Sequence, residues 1–576
     1  MQVYSAVPIS GKVFVGKVRI HRQRQYPPFP KSVDKSQAES ELLKLKQAIR
    51  QLETDIKVFL HDPEVSQLDK DILSTHLMIV TDIEITQIME TAIAQDLLSA
   101  PQTVQTSFDK IIRNFEQMDN SYFAQRADDY KDVAHRLMRL VLGDKEQSGM
   151  QYRPDEVVFV REITPSLVSI LSRAGVKAYC TEHGSHTSHS SILSRAIGFT
   201  ALVAKESVIA HINDGETAIL DAINSRIVIN PDTDEQHKYE DILRNLEEKE
   251  VLLQKELAKH SITQNGISIS VKANIEYPGE LTNVLNNRCD GIGLFRTEFI
   301  YLNRNSLPDE EEQTKVYSDL LSKMEDKPVT IRTFDLGGDK LAYLQQYSRE
   351  ENPYLGCRGI RFSLEQNSLF RTQVRAVLRA SVHGNALLMF PMIISSEDFL
   401  AAKNIVLDCM AELDKESIPY NKNLPIGAMI ETPSAALCAE QLAMFCDFFS
   451  LGTNDLVQYT LAVDRNNDKV APYYVQYHPA VLQLVKQTIT AAEKAGIPVS
   501  ICGEMASDLM FVPLLAGLGI RDLSINPAKA AEVKAVIRNC DADLFDLVRD
   551  FDFKANISSV EHFLKNTLKP YYTIQS

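Results

Sequence analysis

At 576 residues the chain is too long for a single ordinary core, so three or four domains are expected. Apolar residues make up 44% and charged residues 24%, the proportions of a soluble globular protein. A net charge of −16 argues against a protein that neutralises nucleic-acid phosphates with a basic face, and leaves room for a basic protein partner steered by charge.

The chain opens with "VYSAVPISGKVFVGKVRI", residues 3 to 20, which alternates apolar and polar residues around two glycines and reads as a hairpin or two short strands. It lacks the charged start and apolar block of a signal peptide. The segment "RQRQYPPFPKS" then interrupts regular structure. From Asp34 to Leu142 apolar residues recur at helical spacing, as in "SELLKLKQAIRQLETDIKVFL" and "YFAQRADDYKDVAHRLMRLVLG", so a helical bundle is expected. Between residues 150 and 230 short β-rich runs, "DEVVFV", "VKAYC", "TALVA", "ETAILD" and "RIVIN", alternate with helical patterns. This is a small α/β domain into which the bundle is inserted. A long charged helix follows at residues 234–260, a linker or a plain surface helix. After Ile262 eight strand-like runs recur: "ISISVKANI", "GIGLFR", "VTIRTFD", "ALLMFPMI", "IGAMIET", "DFFSLGT", "PVSICGE" and "DLSIN". Helical patterns fill most gaps, which predicts a (β/α)₈ barrel. The fold class is thus multidomain α/β. No apolar run is long enough to span a bilayer. The eight cysteines are scattered without a CxxC pair, so neither a disulfide framework nor a zinc ribbon is expected, and the cytoplasm is the predicted location.

In such barrels chemistry sits at the C-terminal ends of the strands. The runs end in Arg296 with Glu298, in Arg332 with Asp335 and Lys340, in Glu431, in Asn454 and Asp455 with Arg465 following, and in Cys502 with Glu504. Arginines suit a phosphate, because the guanidinium fork pairs with two oxygens. Two carboxylates suit Mg²⁺, a hard ion that takes oxygen ligands. A cysteine among charges is a candidate acid or nucleophile. The alternative is a salt-bridge network closing the barrel top.

A second candidate lies in "TEHGSHTSHSSILSRAIGFTALV", which holds His183, His186 and His189. "SSILSRA" is a helical pattern, so His189 falls near a helix N-terminus, where a phosphate it carried would meet unpaired N–H groups and the positive end of the helix dipole. A metal site on the three histidines and a chance polar loop are the competing readings.

"HGSHTSHSSILSRA" resembles the phosphohistidine motif of phosphoenolpyruvate-utilising enzymes. "GIGLFRTEFIYL", "ENPYLGCRGIR", "FFSLGTNDLVQYTLAVDR" and "CGEMA" resemble the barrel of the enzyme I family of the bacterial sugar phosphotransferase system. The resemblance spans essentially the whole chain. Pyruvate phosphate dikinase and phosphoenolpyruvate synthase share the histidine and the barrel but carry a nucleotide-binding domain, and the region before residue 145 has no Gly-rich nucleotide loop. The resemblance implies a phosphohistidine domain at residues 1–22 and 146–230, a helical HPr-binding insertion at 23–145, a linker helix at 231–261 and a phosphoenolpyruvate-binding barrel at 262–576. It implies phosphoryl transfer from phosphoenolpyruvate to His189 and on to the phosphocarrier protein HPr, with pyruvate released. Arg296, Arg332, Arg358 and Lys340 would grip the phosphoryl group. Asn454 and Arg465 would hold the carboxylate, Glu431 and Asp455 would bind Mg²⁺, and Cys502 would protonate the enolate. His76, Asp82, Glu84 and Arg126 fall in stretches comparable to the carrier-docking surface, and a homodimer through the barrel is implied. The sequence departs from the family at Ser185 and His186, where Gly and Arg are usual. It departs also at Val168, where the family commonly has a threonine that hydrogen-bonds the reactive histidine. These departures bear on the rate of transfer and leave the nucleophile in place.

Overall fold

The computed structural model describes residues 1–22, 28–61, 67–116, 121–143, 152–184, 189–301, 307–337, 352–465, 467 and 469–573. The chain divides into two compact units, Met1–Asn245 and Leu246–Ser576.

The first unit begins with strands β1 (Gln2–Ser10) and β2 (Val13–His21). Five helices follow: α1 (Ala38–His61), α2 (Gln67–Val80), α3 (Ile83–Ala94), α4 (Ala100–Glu116) and α5 (Ser121–Val141). The chain then runs β3 (Glu156–Glu162), α6 (Pro165–Arg173), β4 (Ala178–His183), α7 (His189–Ile197), β5 (Thr200–Ala204), β6 (Thr217–Asp221) and β7 (Arg226–Ile229). Its last helix, α8 (Thr233–Leu257), runs on into the second unit. The helices pack as a bundle because α1 turns Leu45, Leu52 and Ile56 inward at helical spacing, onto Ile93, Val104 and Leu137.

The seven strands close in the order β1-β5-β4-β3-β2-β6-β7. Strands β2, β3, β4 and β5 run parallel, as expected where helices α6 and α7 cross between them. β1 and β2 are two strands and not a hairpin. β1 pairs antiparallel with β5 and β7, and β2 pairs with β3 and β6. At the corner between them stands Gly11, whose φ is +86° and whose Cβ, if present, would sit 2.5 Å from the Cα of Thr200. The backbone corner is pressed onto the start of β5.

In the second unit eight strands close into an all-parallel barrel: β8 (Ser270–Ile275), β9 (Ile292–Arg296), β10 (Val329–Arg332), β11 (Ala386–Phe390), β12 (Ile426–Ile430), β13 (Phe449–Leu451), β14 (Val499–Ile501) and β15 (Asp522–Ile525). Each of the eight runs picked out in the sequence contains one of them. Parallel strands need a crossover, which is why a helical segment fills most intervals. Ile331, Leu388 and Ile430 pack outward under those helices. Leu294, Met389, Met429 and Phe448 fill the barrel interior.

Candidate active site

The C-terminal ends of the barrel strands open into a cavity of about 380 Å³. Strand-end positions from most of the barrel converge on it: Glu276 after β8, Arg296 at the end of β9, Arg332 at the end of β10, Glu431 after β12 and Cys502 after β14. Asn454 and Asp455 reach it from the first turn of the helix Thr453–Leu461, and Glu298, Asp335, Arg358 and Arg465 complete the wall. Apart from Glu504, every described residue that the sequence suggested for the barrel site is therefore gathered in one place. Lys340 lies outside the described residues.

The guanidiniums are locked by carboxylates. Arg332 donates from Nη2 to Glu298 at 2.6 Å, and Arg358 clasps Asp335 through Nε at 3.1 Å and Nη2 at 2.6 Å. Arg358 Nη2 also reaches Asp455 at 3.4 Å, and its Nη1 donates to the hydroxyl of Tyr459 at 3.2 Å. Arg296 pairs with Glu276. Burial works against the charge on Arg332 and Arg358, but their carboxylate partners outweigh it and hold both above the ordinary arginine range. Two buried polar atoms in this wall lack a partner: Arg332 Nε and Asp455 Oδ1. Buried donors and acceptors are usually paired, with protein, with water or with a bound ion.

Glu431 is fixed by its backbone surroundings. The N–H of Met392 donates to its Oε1 at 2.6 Å, from a residue held at φ +56°. Gly452 lies so close that a Cβ there would stand 2.8 Å from the Cβ of Glu431. Burial, with the charges of Asp455 and Asp335 behind it, pushes the Glu431 carboxyl up to about 8. Five carboxylates, those of Glu276, Glu298, Asp335, Glu431 and Asp455, face four guanidiniums around the cavity. No cluster of three or more His, Cys, Asp or Glu side chains fit to hold a metal occurs among the described residues. A buried carboxylate pair with an unpaired oxygen fits a hard cation that completes its shell with water and substrate oxygens.

Cys502 is 4% exposed, and its Sγ points to the carbonyl of Leu451 at 3.6 Å. Burial, chiefly, pushes the thiol up to about 11, so it keeps its proton near neutral pH. The resting form is therefore the thiol and not the thiolate. Next to it, the amide of Asn454 exchanges two hydrogen bonds with Glu504, accepting from its backbone N–H at 2.9 Å and donating to its carboxylate at 3.4 Å. Glu504, which the sequence offered with Cys502 at the strand end, does not line the cavity; it sets the orientation of Asn454. Glu276 was missed. It directly follows β8, and the strand-end rule applied to the first strand finds it.

In the first unit, β4 ends at His183 and α7 begins at His189. The two residues therefore belong to different elements and cannot share one helical face, which removes the geometry that a three-histidine metal site required. His186 and Ser185 lie outside the described residues. His189 stands in the first turn of α7, where backbone N–H groups have no acceptor within the helix. Val168 is fully buried among Leu167, Leu171 and Phe199.

Of the residues compared with a carrier-docking surface, His76 is buried, with Asp129 at 3.6 Å and Asp132 at 3.7 Å. Its side chain does not reach the surface, because α2 packs it against α5. Asp82 caps α3, accepting from the N–H groups of Glu84 and Ile85 at 2.8 and 3.2 Å. Arg126 falls within α5.

Three stretches of the chain match domain families in order. Residues 5–126 match the N-terminal domain, 152–225 the mobile domain and 250–542 the PEP-binding domain of PEP-utilising enzymes, PEP being phosphoenolpyruvate. The phosphoenolpyruvate-protein phosphotransferase of Priestia megaterium is 36% identical over 538 residues, covering 92% of this chain and 93% of that protein. The protein of the same name from Listeria monocytogenes is 36% identical over 92% of both chains. That of Bacillus subtilis is 37% identical, over 85% of this chain and 86% of its own. A barrel cavity of arginines and acids, a helix opening on His189 and end-to-end similarity thus agree: the chain belongs to the phosphoenolpyruvate-protein phosphotransferase family, the enzymes I.

Proposed function

We propose that this chain transfers the phosphoryl group of phosphoenolpyruvate to His189 and then to a histidine of the phosphocarrier protein HPr, releasing pyruvate. The observation that carries this reading is the pair of unpartnered buried atoms in one cavity wall, the Arg332 Nε donor and the Asp455 Oδ1 acceptor. A ligand that brings an anion together with a cation satisfies both.

In this reading Arg296, Arg332 and Arg358, with Lys340, hold the phosphoryl oxygens, and Arg465 with the second amide hydrogen of Asn454 holds the carboxylate. Glu431 and Asp455 would hold Mg²⁺, which when bound supplies positive charge against the transferring group. The bond between the enol oxygen and phosphorus breaks as phosphorus bonds to a ring nitrogen of His189. The enolate electron pair then takes the proton of Cys502 Sγ at its methylene carbon, giving pyruvate and a thiolate that solvent reprotonates. The protein's contribution is positioning and charge neutralisation. The N-terminal end of α7 stabilises the phosphoryl group once it is on His189. Docking of HPr is assigned to the corner between α2 and α3, where Met78, Ile83 and Ile88 are exposed beside the exposed carboxylate of Glu84. That apolar and acidic mixture suits a basic carrier. All eight cysteines are unpaired in disulfides, in keeping with a cytoplasmic enzyme; no described helix is long and apolar enough to cross a membrane.

The test uses His189→Ala. The variant is expected to take no phosphate from phosphoenolpyruvate, by mass spectrometry, while binding it as tightly as the parent, because the arginine cavity lies in the other unit. Phosphate on a different histidine of the variant would overturn the assignment.

A further inference from the structure

We propose that Tyr179, acting through Ser194, is a positioning residue for phosphoryl transfer at His189. The inference rests on the reading above that His189 carries the phosphoryl group.

Tyr179 lies on β4, beneath α7, and is completely buried. Its ring meets Phe199 edge-on, with centroids 5.7 Å apart. Its hydroxyl lies 2.7 Å from Ser194 Oγ. Ser194 Oγ in turn donates to the carbonyl of Ser190 at 2.6 Å. A serine hydroxyl has one hydrogen, and Ser194 gives it to Ser190, so Tyr179 is the donor of the first bond. The order is fixed: Tyr179 to Ser194 to the Ser190 carbonyl. Burial pushes the Tyr179 hydroxyl up to about 12, which keeps it a donor throughout the working pH range.

Ser190 is the residue after His189. Its own hydroxyl donates to the carbonyl of Ile163, just past β3, at 3.1 Å. The first turn of α7 is thus tied from below at two points, one to the end of β3 and one through Ser194 to the interior of β4. Neighbouring contacts are apolar: Val158, Leu171, Val168 and Phe199 surround the same space. Alanine is a better helix former than serine, and phenylalanine would fill the space of tyrosine without burying a hydroxyl. Apolar packing alone holds a nine-residue helix against a sheet but tolerates small rotations and slides. Directional hydrogen bonds do not. In-line transfer is sensitive to such shifts, since a misplacement of about 1 Å can cost roughly a hundredfold in rate. What the polar chain supplies is therefore the position of the helix start, and with it of His189.

The experiment compares Tyr179→Phe, Ser194→Ala and the double variant, in the full chain, with phosphoenolpyruvate and Mg²⁺. Rapid quench measures phosphorylation in a single turnover, and titration measures phosphoenolpyruvate affinity. Each single variant is expected to phosphorylate roughly five- to tenfold more slowly, well inside the cost of a full 1 Å error, with affinity unchanged. The double variant should be no slower than the singles, because both break one chain. Val158→Ala, a cavity variant in the same cluster, should lower the melting temperature at least as much and leave the rate alone. Parent-like rates in Tyr179→Phe, additive losses in the double variant, or an equal slowing in Val158→Ala would each overturn the proposal. His189→Ala is run alongside: if it still accepts phosphate, the reading of His189 has failed. If it is dead while Tyr179→Phe runs at the parent rate, only the role of Tyr179 has.

Discussion

A carboxyl group that burial holds protonated is a liability whose size depends on pH. Glu431 is 1% exposed, accepts from the Met392 N–H, and has Asp455 and Asp335 as charged neighbours. Its folded-state value of about 8 lies above the 4.5 of an ordinary glutamate, so between those values the folded chain holds a proton that the unfolded chain releases. The stability contributed by that proton is full below the unfolded value and is lost as pH rises through the folded one. Glu431→Gln keeps an oxygen for Met392 and cannot ionise. Without divalent cation, the variant is therefore expected to gain on the parent from pH 5 to pH 8, on the order of a few kcal/mol by the end, as read from melting curves in metal-free buffer. A constant difference across that range would mean that Glu431 is already ionised in the resting cavity.

At the scale of an element, α8 is anchored by its first two turns. Tyr239, 1% exposed, donates to Asp221 at 2.6 Å, and Arg226 bonds the Tyr239 hydroxyl at 2.9 Å and Glu235 at 2.8 Å. Asn224 adds its backbone and side-chain donors to Asp221 at 2.9 and 2.8 Å. Asp221 is thus the shared acceptor of a cluster that ties the helix to β6 and β7. Asp221→Ala leaves these donors without it. The cost is expected at about 2–4 kcal/mol, with hydrogen exchange accelerated in Thr233–Asn245 and unchanged in the barrel. Exchange by mass spectrometry checks this; protection of α8 at the parent level would show that apolar packing, not the cluster, holds it.

The whole molecule carries a net charge of −16, and among the described residues of its cavity four guanidiniums face four carboxylates and the buried carboxyl of Glu431. An anionic substrate therefore meets a site that is not positive without help. Phosphoenolpyruvate is expected to raise the melting temperature in the presence of Mg²⁺ and to have little effect after chelation. Ligand at about a hundred times its dissociation constant stabilises by roughly 2.7 kcal/mol, which thermal-shift measurements resolve. An equal shift in EDTA would remove the metal from substrate binding.

Much was legible in the chain itself. The strand-like runs after Ile262 show where the barrel strands lie, because strands buried under helices are rich in apolar residues over a short run. The strand-end rule found Arg296, Arg332, Glu431 and Cys502, since a parallel barrel has one end at which its strand C-termini meet. Family motifs added Arg358, which sits on no strand end. Tertiary structure decided the rest. It separated β1 from β2, because each pairs with strands from much later in the chain, β1 with β5 and β7 and β2 with β3 and β6. It buried His76 between α2 and α5, although the resemblance placed it in a stretch comparable to a docking surface. It paired Arg358 with Asp335, Arg332 with Glu298 and Asn454 with Glu504, and so decided which charges remain for a ligand. Sequence records local periodicity and residue type, which depend on a few neighbours. Pairing and burial depend on which distant side chains share a low-dielectric space, and only the closed fold brings them together.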